Sequence, residues 1–244
     1  MNIFIGELMG TLVLVLLGDG VVANVLLAKS KGENSGWIVI SAGWGFAVAM
    51  AVYVAGWASG GHINPAVTVG LAAVGEIPMT QVPVYVVGQF LGALLGAVLV
   101  WLAYLPHWEP TEDAAAKLAV FCTAPAIRHT GGNFICETIG TAMLLIGVLG
   151  ISNVNNGIGS GFGPYAVGIL VFSIGLSLGG PTGYAINPAR DLAPRIAHAL
   201  LPISGKGDSD WGYAWIPVVG PLVGCVIGAL LYELLFSRLT PLAG

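Results

Sequence analysis

Six apolar stretches dominate this chain, at about 3–28, 37–57, 83–104, 133–151, 164–178 and 213–236. Most approach the roughly 20 residues that an α-helix needs to cross a bilayer. Inside hydrocarbon a backbone has no water to bond, so it must satisfy its own polar groups, and long apolar runs do that as helices. Only 8% of the 244 residues are charged and 56% are hydrophobic, with a mean hydropathy of +0.88. A soluble domain carries about 25% charge. The expected class is therefore an all-α polytopic membrane protein, with one transmembrane domain over 1–244 and no soluble domain. The first stretch, "MNIFIGELMG", has no basic region or cleavage site and reads as the start of a span.

The net charge is −4 and the charges are scattered. No basic stripe points to nucleic acid, and no polybasic tail points to lipid headgroups. Cys122, Cys136 and Cys225 form no CxxC pair and read as small apolar residues rather than a metal site or disulfide framework. Polar connections are expected at 29–36, 75–82, 105–132 and 152–163. The third contains "EPTEDAAAK", a candidate short surface helix, and the fourth the glycine-rich "GIGSGFG" at 157–163, a connection without a Walker lysine.

Two apolar pieces are too short to span. "PAVTVGLAAVG" follows Asn64 and "PARDLAPRIAHALL" follows Asn187. Asn is a favoured N-cap, and proline suits the first helical position, where its missing N–H would be unbonded anyway. Each piece reads as a half-helix starting inside the membrane, which is tolerated only where backbone is buried in protein or lines a water-filled cavity. The chain also repeats itself. "GELMGT" around Glu7 matches "CETIGT" around Glu137. The triplet Asn64–Pro65–Ala66 matches Asn187–Pro188–Ala189, and Gly88, Gly92 and Gly96 match Gly220, Gly224 and Gly228. Three spans per copy is odd, so the copies lie in opposite orientations, with the functional site expected near the midplane where the half-helices meet. The first copy covers about 1–104, a connecting loop about 105–132, and the second copy about 133–244. The glycine triplets are expected to pack helices closely.

The half-helix N-termini each carry about half a positive charge and unbonded N–H groups. Each Asn oxygen is expected to cap its own helix and leave its amide N–H2 free toward a lumen, which repels cations and receives neutral molecules with lone pairs. Arg190 follows the second triplet. An intramembrane arginine is costly, so it is expected to face the cavity, bind solute oxygens and add a barrier to cations.

On these motifs the chain resembles the major intrinsic protein family along essentially its whole length, and within it the bacterial glycerol facilitator, or aquaglyceroporin, branch. "NPARD", with Asp191 after the arginine, is the mark of that branch. The resemblance implies six tilted helices plus two half-helices, a homotetramer with one pore per subunit, a plasma-membrane location and cytoplasmic termini. It implies a selectivity filter of Trp44, Gly175, Tyr184 and Arg190. Glycine at 175, where water-selective members carry histidine, implies room for a three-carbon solute, and tyrosine at 184, where glycerol channels commonly have phenylalanine, adds a hydroxyl that either narrows the filter or bonds the solute. The resemblance also implies a ladder of backbone carbonyls from Gly60, Gly61, His62 and Ile63, and from Gly183, Tyr184 and Ala185. The His62 carbonyl is favoured over a proton relay by its ring.

Glu7 and Glu137 are symmetric acids within spans. The resemblance favours their supporting the re-entrant loops over proton coupling. Asp19, in "LLGDG", is expected toward the end of the first span, at a wet mouth or a subunit contact. Charge bias opposes the implied orientation, because Lys29, Lys31, Lys117, Arg128 and Lys206 would lie outside and Arg238 alone inside. The expected function is a passive channel for glycerol and similar small uncharged solutes, with some water, in a lipid bilayer and with no cofactor. The alternatives are a pore mainly for water, urea, hydrogen peroxide, dihydroxyacetone or lactic acid, and, from another class, a proton-coupled transporter using Glu7 and Glu137. No nucleophile–base pair or metal cluster suggests an enzyme.

Overall fold

Long stretches that are apolar on every side cannot fold as surface helices of a soluble protein. They bury one side against each other and turn the other to lipid. The computed structural model, which describes residues 1–159, 161–236 and 239, is built this way. Arg238, and Ser160 of the glycine-rich connection, lie outside the described residues. The helices are α1 (Asn2–Leu26), α2 (Trp37–Ser59), α3 (Pro65–Ala73), α4 (Val82–Ala103), α5 (Leu105–Trp108), α6 (Ala114–Phe121), α7 (Thr130–Ser152), α8 (Gly163–Leu178), α9 (Pro188–Leu200) and α10 (Ile216–Phe236). There is no strand among the described residues.

Five helices, α1, α2, α4 with its leading turn, α7 and α10, are long and apolar enough to cross a membrane, which makes this a multi-pass membrane protein. The sixth, α8, has 16 residues. Pro164 sits in its first turn and Gly179 and Gly180 follow it, so the chain leaves the helix early and folds back as a re-entrant loop. The last span starts at Ile216 rather than 213, because residues 211–215 form turns closed by Tyr213 N–H to Asp210 O and Ile216 N–H to Tyr213 O. The helix in the long connection is α6, capped by Asp113. It is no surface helix, since Lys117, Leu118, Val120 and Phe121 are buried.

The pairing of elements shows the inverted repeat. α1 packs along α4, and α7 packs along α10. α2 and α8 meet at the seam between the copies. Each half-helix crosses to the other copy, α3 packing against α10 and α9 against α4. The glycine triplets explain the two tightest pairs. A Cβ at Gly92 would sit 2.2 Å from the Leu8 carbonyl oxygen, and one at Gly224 would sit 2.3 Å from that of Thr138. Backbone touches backbone there, as small-residue faces allow in membranes.

The connections gather at two ends. At one, residues 27–36, 104–129 and 201–215 interlock: Ala28 N–H bonds Thr111, Lys117 bonds the Ser204 carbonyl, and Arg128 pairs with Asp210 at 2.6 Å. That hydrogen bond to carboxylate holds the Arg128 pKa above its ordinary value. Lys206 caps the C-terminal end of α9, donating to the carbonyls of His198, Ala199 and Leu201 at 2.6–2.8 Å. At the other end, Tyr53 bonds the Gly161 carbonyl and Asn153 bonds the Tyr232 hydroxyl.

Candidate functional site

The site begins with two asparagines. Asn64 and Asn187 both have extended backbones, at φ −160° and −157°, which turn the chain into α3 and α9. The Asn64 oxygen accepts from Ala66 N–H at 2.9 Å, and the Asn187 oxygen accepts from Ala189 and Arg190 N–H at 3.1 and 3.2 Å. Pro65 and Pro188 occupy the first helical positions. The amides are not wholly free. Asn64 Nδ2 donates to the Ile186 carbonyl at 2.7 Å, and Asn187 Nδ2 donates to the Ile63 carbonyl at 2.8 Å. Each amide therefore keeps one N–H for the lumen instead of two. The crossed bonds tie the two half-helix ends together. This corrects the expectation of free amides, and its cause is a carbonyl next to the opposite asparagine that sequence spacing does not reveal.

The loops before the asparagines are strained and held. Ile63 and Ile186 have φ of 47° and 41°, and Tyr184 has 39°. Such values in β-branched or bulky residues are outliers costing of order 1–3 kcal/mol each. Two buried carboxylates hold them. Glu7 accepts from His62 N–H at 3.0 Å, Ile63 N–H at 2.7 Å, Ser59 Oγ at 2.6 Å and Gln89 Nε2 at 2.7 Å. Glu137 accepts from Ala185 N–H at 3.0 Å, Ile186 N–H at 2.9 Å and Thr182 Oγ1 at 2.7 Å. With their N–H groups turned to the carboxylates, these peptides are left with carbonyls to direct elsewhere. The His62 ring is turned aside, stacked on Tyr85 at 4.3 Å and in contact with Thr68 Oγ1.

A cavity of about 810 Å³ runs past these groups. Its wall carries Gly60, Gly61, His62 and Ile63 from the first loop and Tyr184, Ala185 and Ile186 from the second. Leu14, Val48, Val67, Leu144 and Val171 are among its apolar residues. Both asparagines line it, as do Trp44 and Arg190. Gly183 is not part of this lining, and a Cβ there would lie 3.2 Å from the Thr123 side chain. Ile186 joins the wall where Gly183 was expected.

Trp44, Tyr184 and Arg190 come together on this wall. The Arg190 guanidinium lies 4.0 Å over the Trp44 ring, and its Nη1 donates to the Phe121 carbonyl at 3.4 Å. Trp44 seats on Gly18, where any Cβ would collide with the indole at 2.3 Å. Gly175 does not simply leave a gap. The Tyr184 phenol fills the space beside it: a Cβ at Gly175 would meet Cζ at 2.8 Å and the hydroxyl at 2.9 Å. That hydroxyl is fully buried, near Ser41, and Trp37 packs edge-on against the ring. The tyrosine oxygen is therefore enclosed by protein rather than exposed on the lumen.

Asp191 lies behind the arginine. Its oxygens accept from Arg195 Nε and Nη2 at 3.0 and 2.8 Å, and from Thr123 N–H and Oγ1 at 2.7 Å each. It fastens α9 to the connection before α7. Asp19 corrects the sequence reading outright. It is 0% exposed and lies 3.6 Å from Arg190 Nη1, at neither a wet mouth nor an outer contact. Its helical neighbours Gly18 and Gly20 gave no sign of that, because only the placing of α9 beside α1 brings the two charges together. Gly18, Trp37, Ser41 and Phe121 were also not singled out from sequence. Among the described residues no cluster suits a metal ion, and the three cysteines are free.

The sequence profile of the major intrinsic protein family matches residues 1–232. The chain belongs to this family. A probable glycerol uptake facilitator protein of Thermotoga maritima is 61% identical over 97% of this chain and 100% of its own length. The glycerol uptake facilitator protein of Bacillus subtilis is 54% identical over 97% and 86%. A D/L-lactic acid transporter of Lactiplantibacillus plantarum is 40% identical over 89% and 90%. Among solved structures, the aquaglyceroporin from Plasmodium falciparum superposes with a TM-score of 0.86, at 32% identity over 96% of each chain. The family's two half-helices thus correspond here to α3 and α9, and its paired triplets to those at Asn64 and Asn187.

Proposed function

We propose that this protein is a passive channel for glycerol and similar small uncharged polyols, with some water. The observation that carries this reading is the mixed lining of the cavity. Carbonyl-bearing loops, two asparagines and Arg190 bring polar groups to it, and aliphatic side chains with Trp44 bring apolar surface. A polyol has a hydroxyl edge and a carbon edge, and such a wall suits both. The solute sheds water and exchanges it for these groups in sequence, and no single tight site slows it. One N–H from each asparagine, at two helix N-termini, donates to a passing oxygen and disfavours cations. The names of the Thermotoga and Bacillus relatives support the substrate.

In this reading Trp44, Tyr184 and Arg190 form the selectivity filter, with Gly175 acting indirectly by housing the Tyr184 ring. Glu7, Glu137 and Asp191 support the loops. Glu7 and Glu137 spend their oxygens on loop N–H groups and neighbouring side chains, which argues against proton coupling. No bond is made or broken and no cofactor takes part. A homotetramer in the plasma membrane, with cytoplasmic termini, completes the reading. Lys117 and Lys206 are bound to carbonyls, so they report loop structure more than orientation.

The test is an osmotic jump on proteoliposomes read by light scattering, once with sucrose and once with glycerol. Rapid shrinkage followed by rapid re-swelling in glycerol is the expected result. Rapid water loss without glycerol re-swelling overturns the polyol reading in favour of a water pore.

A further inference from the structure

Two arginines and two aspartates meet behind the filter. Arg195 and Asp191 satisfy each other, with Nη2 to Oδ1 at 2.8 Å and both side chains fully buried. Arg195 also donates to the carbonyls of Thr123, Ser209 and Asp210. That pair is internally neutral. It leaves Arg190, whose side chain is 7% exposed, and Asp19, whose side chain is 0% exposed, facing each other at 3.6 Å. Neither Asp19 oxygen has a hydrogen-bond donor among the described residues. A buried carboxylate normally collects several N–H or O–H partners, as Glu7 and Glu137 do here. Asp19 has only the charge of Arg190 to offset its removal from water. The preceding residue, Gly18, seats the Trp44 indole that lies over the same guanidinium.

We propose that Asp19 is the counter-ion of Arg190 and a specificity-determining residue of the pore, cancelling the charge of the filter arginine while leaving its donors other than Nη1 for neutral solutes. It touches no solute and acts through Arg190, so it is a positioning and charge-setting group. The proposal rests on Arg190 facing the permeating solute. An unpaired guanidinium in a narrow, dry passage attracts small anions as well as hydroxyls. With Asp19 behind it, the four-residue cluster has no net charge, and the filter itself no longer draws anions in. Exclusion of cations then falls to the two half-helix N-termini rather than to Arg190.

Removing the Asp19 charge converts the cluster from neutral to singly positive without altering a lumen side chain. Asp19→Asn is nearly isosteric, and proteoliposomes carrying it are compared with wild type. Nitrate, a small strong-acid anion with no neutral form at working pH, is the probe. Swelling in potassium nitrate with valinomycin reports nitrate entry, glycerol re-swelling in the same vesicles reports solute selectivity, and the amount of reconstituted protein is set equal by quantitative immunoblot. Asp19→Asn is expected to raise the nitrate-to-glycerol ratio about ten-fold or more, a small part of the effect of one uncompensated charge at low dielectric. The double variant Asp19→Asn/Arg190→Gln, which carries neither charge, should return the nitrate signal to the wild-type background. Asp19→Asn pores that pass glycerol but no more nitrate than wild type overturn the proposal. So does nitrate flux that persists in the double variant, since that marks a widened pore. If Asp19→Asn does not reconstitute as folded protein, the double variant decides: recovery of folding supports the counter-ion role, and failure of both overturns it. Wild-type vesicles without glycerol flux would instead sink the channel reading on which the proposal rests.

Discussion

Tyr184 is where a single atom separates two accounts of the filter. Read from sequence, its hydroxyl either narrows the lumen or bonds the solute. In the structure the ring lies in the space that Gly175 vacates, and the oxygen is buried near Ser41. Tyr184→Phe should therefore change glycerol permeation less than about two-fold, because a hydroxyl enclosed by protein contributes no more than a fraction of a net hydrogen bond to the transition. Stopped-flow re-swelling in glycerol checks this, and a larger change would place the hydroxyl in the pathway after all. The same geometry reinterprets Gly175. Any side chain there displaces the phenol first, so a loss of glycerol flux in a Gly175 variant reports the tyrosine's new position as much as the bulk of the new residue.

Among elements, the half-helices and the glycine faces work as one device. α3 and α9 end inside the membrane, so their N-termini need partners that water would otherwise supply. The asparagine caps and the crossed amide–carbonyl bonds provide them. The loops need φ values that isoleucine resists, and Glu7 and Glu137 hold them through two N–H bonds each. Both carboxylates lie on helices, α1 and α7, whose depth is set by their close approach to α4 and α10. Gly224→Ala places a methyl group against the Thr138 carbonyl, with no flexible side chain to yield. It should lower stability by about 1–3 kcal/mol, as overpacked sites do. Thermal unfolding of the purified protein in detergent measures it, and an unchanged midpoint would show that α10 can slide away from α7 at no cost.

For the whole molecule, the connections at the Arg190 end act as a collar. Arg195 is fully buried and bonds three carbonyls besides Asp191, joining α9 to the segments around Thr123 and Ser209. Arg128 also bridges two connections, but its side chain is 60% exposed. Arg195→Ala should cost about 3–5 kcal/mol, because it strands Asp191 as a buried charge. Arg128→Ala should cost less than about 1 kcal/mol, as exposed pairs do. Thermal melts of the two variants side by side read the difference, and similar losses would mean that the collar is wet enough to screen both pairs.

The sequence by itself determined the class, the inverted repeat and the paired half-helices. Hydrocarbon admits few folds, and twenty-residue apolar runs, Asn–Pro starts and duplicated glutamates each have a local physical meaning. Arg190 was singled out by its place directly after the second triplet, and Trp44 only by the resemblance to the family. Only the tertiary structure decided where Asp19 belongs, that the Tyr184 hydroxyl is enclosed, and that each pore asparagine gives one N–H to the opposite loop. The helix that looked like a surface element, α6, buries Lys117 and Phe121 for the same reason: its neighbours come from the far side of the sequence. Each of these depends on a contact across the seam between copies or between distant connections. Such contacts join residues whose separation along the chain carries no periodic signal, so they exist only once the two halves have packed.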